Sequence, residues 1–148
     1  ANYNNGRLAT VQAEADGYDT AIFLNSRGKV SEGPGMCLFI IRDGIPITPS
    51  ISNDILESVT RDSVLKLIED TYGIKPVERD IDRSELVAAD EAFFCGTAWE
   101  ITPVLSIDRI NIGTGKIGHT TKALQDIFFA TSEGRKPEYS SWCYPVYR

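Results

Sequence analysis

The sequence predicts an α+β fold, with a mixed, mostly antiparallel sheet or barrel-like core and flanking helices. Three observations support this class: separate segments carry apolar residues at helical spacing, short apolar runs lie between them, and turn signals join several of these runs into hairpins. Strands joined by short hairpins pair antiparallel, whereas a parallel pair needs a long crossover.

The first third of the chain is predicted to be one helix followed by strands. Leu8, Val11 and Ala15 recur at helical spacing, and Gly17 ends that helix. Asp43-Gly44 lies between two apolar runs and is a strong hairpin signal. The predicted strands of this region are residues 21–24, 29–31, 37–41 and 45–48.

The rest of the chain alternates between helices and strands. The predicted helices are residues 60–72, 84–89 and 120–131, and the predicted strands are 92–95 and 100–107. Residues 111–118 are predicted to be a glycine-rich loop. The apolar tail, residues 142–147, is predicted to be an edge strand or a segment that packs on a partner.

Length and composition indicate one domain. The 148 residues are 42% apolar, and the net charge of −6 argues against nucleic acid or an anionic membrane as the main partner. Three scattered cysteines and a single histidine argue against a disulfide framework and a zinc site, so we expect a cytoplasmic protein without a bound metal.

Two short segments are candidate anion sites. Residues 58–62 open the central helix, and free N–H groups at Val59 and Thr60 would suit a phosphate. Simple capping by Ser58 or Thr60 explains the same pattern. Gly96-Thr97-Ala98 lies between two strands, where it is either an anion-binding turn or an ordinary tight turn or bulge.

Glu32 is a carboxylate at the end of an apolar strand, followed by two glycines and a proline. A charge at such a turn is costly to bury without a partner. It is either a solvated turn carboxylate or the partner of a buried cation.

The motifs occur in a specific order: Ser31-Glu32-Gly33, then Val59-Thr60-Arg61-Asp62, then the long block 89–104, which is the most specific. This order resembles the class IV (fold-type IV) pyridoxal-phosphate-dependent aminotransferases, and most closely the branched-chain amino-acid aminotransferases. The resemblance extends over residues 1–129. It implies pyridoxal 5'-phosphate as cofactor, and transamination of leucine, isoleucine and valine with 2-oxoglutarate or glutamate.

The resemblance also implies roles for individual residues. Glu32 would face the pyridine nitrogen, and Tyr3 would bind the phenolic oxygen. The remaining implied contacts are Leu56 with the ring face, Val59, Thr60 and Thr97 with the phosphate, and the Thr97-Ala98 backbone with the substrate carboxylate.

The family's Schiff-base lysine corresponds to a position three residues before Ala1, and no lysine of this chain matches it. The chain is therefore expected to be a single cofactor-binding large domain, residues 1–148, inactive by itself. The smaller N-terminal domain would come from the same or a separate chain, and the intact enzyme would be a homo-oligomer.

The chain departs from the family pattern at three positions. Cys37 replaces a usual asparagine, which puts the local geometry of the Glu32 turn in question. Trp99 stands where a small residue is common, and its indole either narrows the substrate pocket or points into the core. His119 replaces a usual proline and is expected to have no catalytic role.

Two other functions are compatible with these residues. One is a D-amino-acid or (R)-amine aminotransferase, or an aminodeoxychorismate lyase, of the same fold. The other is a non-catalytic fragment or interaction domain that retains the scaffold, for which the missing lysine is the support.

Overall fold

The computed structural model describes residues 3–144 and 146 and is built on a five-stranded sheet. Its strands are β1 (Cys37–Arg42), β2 (Ile45–Pro49), β3 (Val77–Arg79), β4 (Glu91–Gly96) and β5 (Glu100–Pro103). They lie in the order β3-β2-β1-β4-β5, with antiparallel pairing throughout except for the parallel pair β2–β3. The mixed, mostly antiparallel α+β prediction is confirmed, but the sheet stays open and does not close into a barrel.

The described residues form four α-helices: α1 (Asn4–Ala15), α2 (Val59–Tyr72), α3 (Arg83–Leu86) and α4 (His119–Ser132). The predicted helices are confirmed to within a few residues at each end. Gly17 follows α1 with a φ of 81°, and Gly73 caps α2 with a φ of 63°, conformations that glycine adopts without steric cost. None of the helices in the described ranges is both long and apolar enough to cross a bilayer.

The core has two layers, one on each face of the sheet. Alternate residues of β1 point to opposite faces, and both faces are covered, so all of β1 except Arg42 is buried. One layer contains Leu38, Ile40 and Phe94. The other places Phe39 and Phe93, whose rings stack at 5.1 Å, beneath α2 and α4.

The predicted hairpin of residues 21–24 and 29–31 forms, but its arms are not regular strands. Around the Leu24–Val30 bridge, the Asn25 N–H donates to Lys29 O, the Ser31 N–H to Phe23 O and the Phe23 N–H to Glu32 O. Ser31 and Glu32 both pair with Phe23, as in a β-bulge, and this interrupts the regular ladder. The predicted strand 100–107 is also divided. Strand β5 ends at Pro103, the Val104 N–H makes one more bond to Ala92 O, and the chain then forms a separate two-stranded hairpin of β6 (Ser106–Ile107) and β7 (Ile110–Asn111).

The tail does not form the predicted edge strand in its described part. Residues Pro137–Trp142 form a 3-10 helix, and the rings of Tyr139 and Trp142 pack at 4.8 Å. The Cys143 thiol then donates to Thr131 O, which holds the tail on the end of α4. Positions 145 and 147 of the predicted strand lie outside the described residues.

Candidate functional site

Three segments meet at one end of the sheet: the turn that contains Glu32, the turn after β4, and the segment that enters α2. Cys37 at the start of β1 pairs with Cys95 near the end of β4, so the residues before β1 lie beside those that follow β4. A Cβ added to Gly96 would lie 3.1 Å from Gly35 O, which shows how closely the two turns pack.

The turn after Glu32 is compact and hydrogen-bonded across its ends. Gly33 and Met36 form a bridge around Pro34 and Gly35, and Met36 N donates to Gly33 O at 3.3 Å. Gly35 has a φ of 81°, which together with the preceding proline matches a type II turn. Gly33 leaves space for Met36 and Phe94, since a Cβ there would come within 2.8 Å of the Met36 side chain.

Glu32 holds the backbone of Leu56. Its Oε2 accepts a hydrogen bond from the Leu56 N–H at 3.0 Å, and the Cys37 thiol donates to the Leu56 carbonyl at 3.6 Å. Both polar groups of this residue are therefore anchored by side chains. The Leu56 side chain itself is 67% exposed, so an apolar group is presented to solvent from a fixed backbone.

The start of α2 is capped and still open to an anion. The Ser58 hydroxyl accepts from the Arg61 N–H at 3.3 Å, which confirms the capping interpretation. The N–H groups of Val59 and Thr60 make no hydrogen bond within the described ranges. Val59 is 84% exposed, so the capping and the anion-binding interpretations use different donors and are compatible.

The turn between β4 and β5 exposes Thr97 and Ala98. Gly96 pairs with Glu100 across the turn, and Glu100 has a φ of 51°. Among the described residues, the N–H groups of Thr97 and Ala98 have no hydrogen-bond partner. The Thr102 hydroxyl on β5 donates to Trp99 O at 2.6 Å and so ties the turn to the strand that follows it.

Trp99 packs on the core layer that contains Leu38, Ile40 and Phe94. Its ring centroid lies 6.5 Å from that of Phe94, and the side chain is half-buried. Of the two orientations expected from the sequence, the structure therefore favours the one toward the core.

Tyr3 immediately precedes α1 and is 70% exposed. The first turn of α1 packs near the Glu32 turn, because a Cβ on Gly6 would contact Pro34 at 3.4 Å. The Tyr3 hydroxyl makes no hydrogen bond with Glu32 or another described residue. The structure brings the Tyr3 segment to the site but does not join its side chain to the others.

The two buried cysteines beneath the site influence each other. A hydrogen bond with Cys95 lowers the pKa of Cys37, against the opposing effects of burial and of the Glu32 carboxylate. The same hydrogen bond, together with burial, raises the pKa of Cys95. All three cysteines are free thiols.

Two structural residues of the site were not recognised from the sequence. Arg61 is 5% exposed and donates to Pro49 O and Glu78. Its spacing from Val64 and Ile68 places it on the buried stripe of α2, and this is the sequence signal that could have identified it. Asn53 is fully buried and links Asn25, Arg27, Ser50 and Asp80, which holds the segment that leads to Leu56. Nothing in the local sequence around Asn53 distinguishes it from an ordinary turn residue.

Comparison with known proteins identifies the family. Residues 1–107 match the family described as amino-transferase class IV. A probable branched-chain-amino-acid aminotransferase of Aquifex aeolicus is 48% identical over 145 residues, which is 98% of this chain and 47% of that protein. The chain thus spans about half the length of the curated relatives it matches.

Solved structures agree with this result. The branched-chain amino acid aminotransferase of Thermobaculum terrenum in its PLP form has a TM-score of 0.96 at 48% identity, over 99% of this chain and 48% of that one. The branched-chain aminotransferase of the archaeon Thermoproteus uzoniensis, solved with norvaline, has a TM-score of 0.93 at 43% identity, over 98% and 48% of the two chains. These matches confirm the resemblance found in the sequence: the chain belongs to the class IV aminotransferase family.

Proposed function

We propose that this chain is the cofactor-binding domain of a pyridoxal-phosphate-dependent aminotransferase that acts on branched-chain amino acids, with 2-oxoglutarate or glutamate as the other substrate. The observation that carries the proposal is the Glu32 carboxylate, bonded to the Leu56 N–H through one oxygen beside the open start of α2. The names of its relatives, at 39–48% identity, support the branched-chain substrate class.

The residues present fit pyridoxal 5'-phosphate. Its phosphate is an anion, and the unpaired N–H groups of Val59 and Thr60 at a helix start are suitable donors. Its ring is flat and apolar on both faces, and the exposed, backbone-anchored Leu56 side chain is suited to cover one of them. Its ring nitrogen is basic, and within the described residues the Glu32 Oε1 is left without a hydrogen bond.

Glu32 has an electrostatic function in this proposal. When bound, the cofactor supplies an electron sink for the Cα–H bond of the amino acid. The Glu32 carboxylate holds a proton at the ring nitrogen, because an adjacent negative charge favours the protonated form. Its second oxygen keeps the Leu56 backbone in place. The same side chain therefore positions Leu56, which we call the ring seat, and keeps the ring nitrogen protonated.

The other residues bind and orient. Val59 and Thr60 hold the phosphate through their N–H groups, and the Thr60 and Thr97 hydroxyls add further contacts. The exposed Thr97 and Ala98 N–H groups bind the substrate carboxylate. Tyr3 donates to the phenolic oxygen of the ring, and Leu56 excludes water from one ring face.

The remainder of the enzyme completes the site. In this proposal the Schiff-base lysine and the smaller domain belong to the part of the relatives that this chain does not span, and residues 1–148 form the large domain. We further propose a homo-oligomer in the cytoplasm. Sizing of the whole protein by light scattering tests the oligomer, and a reporter fusion tests the location.

Amino-donor profiling tests the activity. With 2-oxoglutarate as acceptor, the whole protein is expected to use L-leucine, L-valine and L-isoleucine, and to use D-alanine and an (R)-amine poorly. The isolated 148-residue chain is the control and is expected to be inactive. If all three branched L-amino acids are inert donors, the substrate assignment is wrong. If no donor reacts in the whole protein, the transamination proposal is wrong and the lyase and non-catalytic alternatives are left.

Two substitutions at Glu32 separate its two functions. Glu32→Gln retains an oxygen for the Leu56 N–H but removes the charge, so we expect kcat to fall about 100-fold or more while the cofactor Kd changes less than about threefold. Glu32→Ala removes both and is expected to weaken cofactor binding as well. Equal kcat values for Glu32→Gln and the unmodified enzyme would contradict the electrostatic function.

A further inference from the structure

Arg61 is the most deeply buried charged side chain near the site. It is the third residue of α2, one position after Thr60, and it is 5% exposed. Its Nη2 donates to Pro49 O at 3.0 Å and to Glu78 Oε2 at 2.5 Å. Its Nε is buried and has no hydrogen-bond partner among the described residues.

Stability alone does not explain an arginine at this position. A guanidinium taken out of water with one donor unpaired costs more than an apolar side chain of similar volume. Val64 and Ile68 continue the same buried stripe of α2 and are apolar. The partner carboxylate of Glu78 is 45% exposed, so solvent screening weakens the ion pair that would offset the cost.

The contacts of Arg61 show what it holds in place. Pro49 O lies at the end of β2 and Glu78 lies in β3, so one guanidinium ties the first turn of α2 to two neighbouring strands. Both bonds come from one nitrogen, Nη2, whose N–H groups lie in the plane of the guanidinium and have fixed directions, whereas a lysine ammonium rotates freely. The N–H groups of Val59 and Thr60 therefore have a fixed direction relative to the sheet.

We propose that Arg61, with Glu78, is a positioning residue for the phosphate of the cofactor, acting by fixing the first turn of α2 rather than by contact with the phosphate. This inference rests on the proposed function, which places the phosphate at Val59 and Thr60.

The effect should be specific to the phosphate end of the cofactor. The ring seat has its own anchors, because Glu32 and Cys37 hold the N–H and the carbonyl of Leu56. Loosening Arg61 therefore misaligns the phosphate donors while it leaves the ring seat intact. A general loss of stability would weaken both ends.

The test compares two cofactor forms that differ only in the phosphate. The whole protein, freed of cofactor, is titrated with pyridoxal 5'-phosphate and with pyridoxal, and both Kd values are measured for each variant. Glu78→Gln removes the charge of the partner, and Arg61→Lys keeps the positive charge but loses the planar Nη2 group that makes both bonds. Lys66→Met is the matched control, since it breaks an exposed ion pair with Asp70 in the same helix.

We expect Glu78→Gln to raise the Kd for pyridoxal 5'-phosphate about threefold to tenfold, and Arg61→Lys about tenfold or more, with the Kd for pyridoxal within about twofold of the unmodified protein. Lys66→Met should change neither Kd. If Arg61→Lys does not fold, Glu78→Gln still decides the question. Equal changes for both ligands, or no change in either, would overturn the proposal.

Thr60→Ala in the same titration separates this proposal from the proposed function. If Thr60→Ala lowers the preference for the phosphorylated ligand while Glu78→Gln and Arg61→Lys do not, only the function of Arg61 is refuted. If none of Thr60→Ala, Glu78→Gln and Arg61→Lys changes the preference, the phosphate site itself is misplaced.

Discussion

Helices α2 and α4 are both 14 residues long, yet the backbone N–H groups at their N-termini differ in their hydrogen-bond partners. At α4, the Glu91 carboxylate accepts from the N–H groups of Thr120 and Thr121 at 3.0 and 2.8 Å, and from the Thr121 hydroxyl at 2.7 Å. At α2, the N–H groups of Val59 and Thr60 have no partner in the described part of the chain.

Under the proposed function, this difference separates a helix start that serves the fold from one that binds the phosphate of the cofactor. Glu91 is an internal anion for α4, and Gly118 leaves room for it, because a Cβ there would overlap the Glu91 carboxylate carbon at 1.9 Å. An acceptor for two N–H groups of the first turn contributes to stability. The start of α2 gives up part of that stabilisation and keeps its donors available for an anion from solution.

The largest expected effect comes from removing the internal anion. Glu91→Ala leaves two N–H groups and the buried Thr121 hydroxyl without their acceptor, so we expect a loss of about 2–3 kcal/mol in the free energy of unfolding. Urea denaturation of the whole protein measures it, and cofactor affinity should stay within about twofold. A large loss of affinity without a loss of stability would break the comparison.

The converse substitution is Thr60→Ala at the start of α2. We expect the Kd for pyridoxal 5'-phosphate to rise about tenfold, equivalent to about 1.4 kcal/mol, because a hydrogen bond to a charged group is lost. The unfolding free energy without cofactor should change by less than about 0.5 kcal/mol. Thr60→Ser, which retains the hydroxyl, is the control and should bind nearly as well as the unmodified protein.

Acid should weaken the start of α4, because the acceptor there is the Glu91 carboxylate. Burial raises the pKa of Glu91, but hydrogen bonds from Thr121 and Thr120 outweigh it and hold the pKa below its ordinary value of 4.5. The stabilisation is therefore complete above that value and is lost as the pH falls through the lowered pKa. Urea midpoints of the unmodified protein and Glu91→Gln should differ near neutral pH and converge in acid. A constant difference would contradict this assignment.

The smallest effect concerns Asp62, an exposed acid in the first turn of α2, for which α4 has no counterpart. Its charge favours the helix but repels a phosphate at the same end. We expect Asp62→Asn to lower the Kd for pyridoxal 5'-phosphate by up to about twofold and to cost about 0.3–0.5 kcal/mol of stability. Pyridoxal should show no such gain, and an equal gain with both ligands would refute the electrostatic explanation.

Local features of the fold could be predicted from the sequence. The α2 and α4 helices follow from apolar periodicity, and the β1–β2 hairpin follows from Asp43-Gly44, because these signals involve residues close along the chain. Strand β3 was missed, since it has only three residues and pairs with β2 across 30 positions, Ile47 with Val77. Its sequence carries no alternation that would reveal such a partner.

In the candidate site, too, the residues carried by local motifs were predicted from the sequence and the long-range contacts that support them were not. Glu32, Val59, Thr60 and Thr97 were found because motifs carry them, and they remain a prediction until cofactor binding is measured. The supports beneath them were missed, because the Cys37 bond to Leu56 and the Arg61 bonds to Pro49 and Glu78 join distant segments. The buried stripe through Arg61, Val64 and Ile68 was the one available signal.

The parallel pair β2–β3, with α2 as its crossover, has a consequence for the order of folding. The antiparallel β1–β2 hairpin closes over two residues, whereas the parallel pair must wait until the chain through α2 has returned. Closing the longer loop costs more entropy before any contact forms. We therefore expect substitutions in the hairpin to slow folding and those in β3 to accelerate unfolding. The segment around Thr60 would be among the last parts of the chain to consolidate.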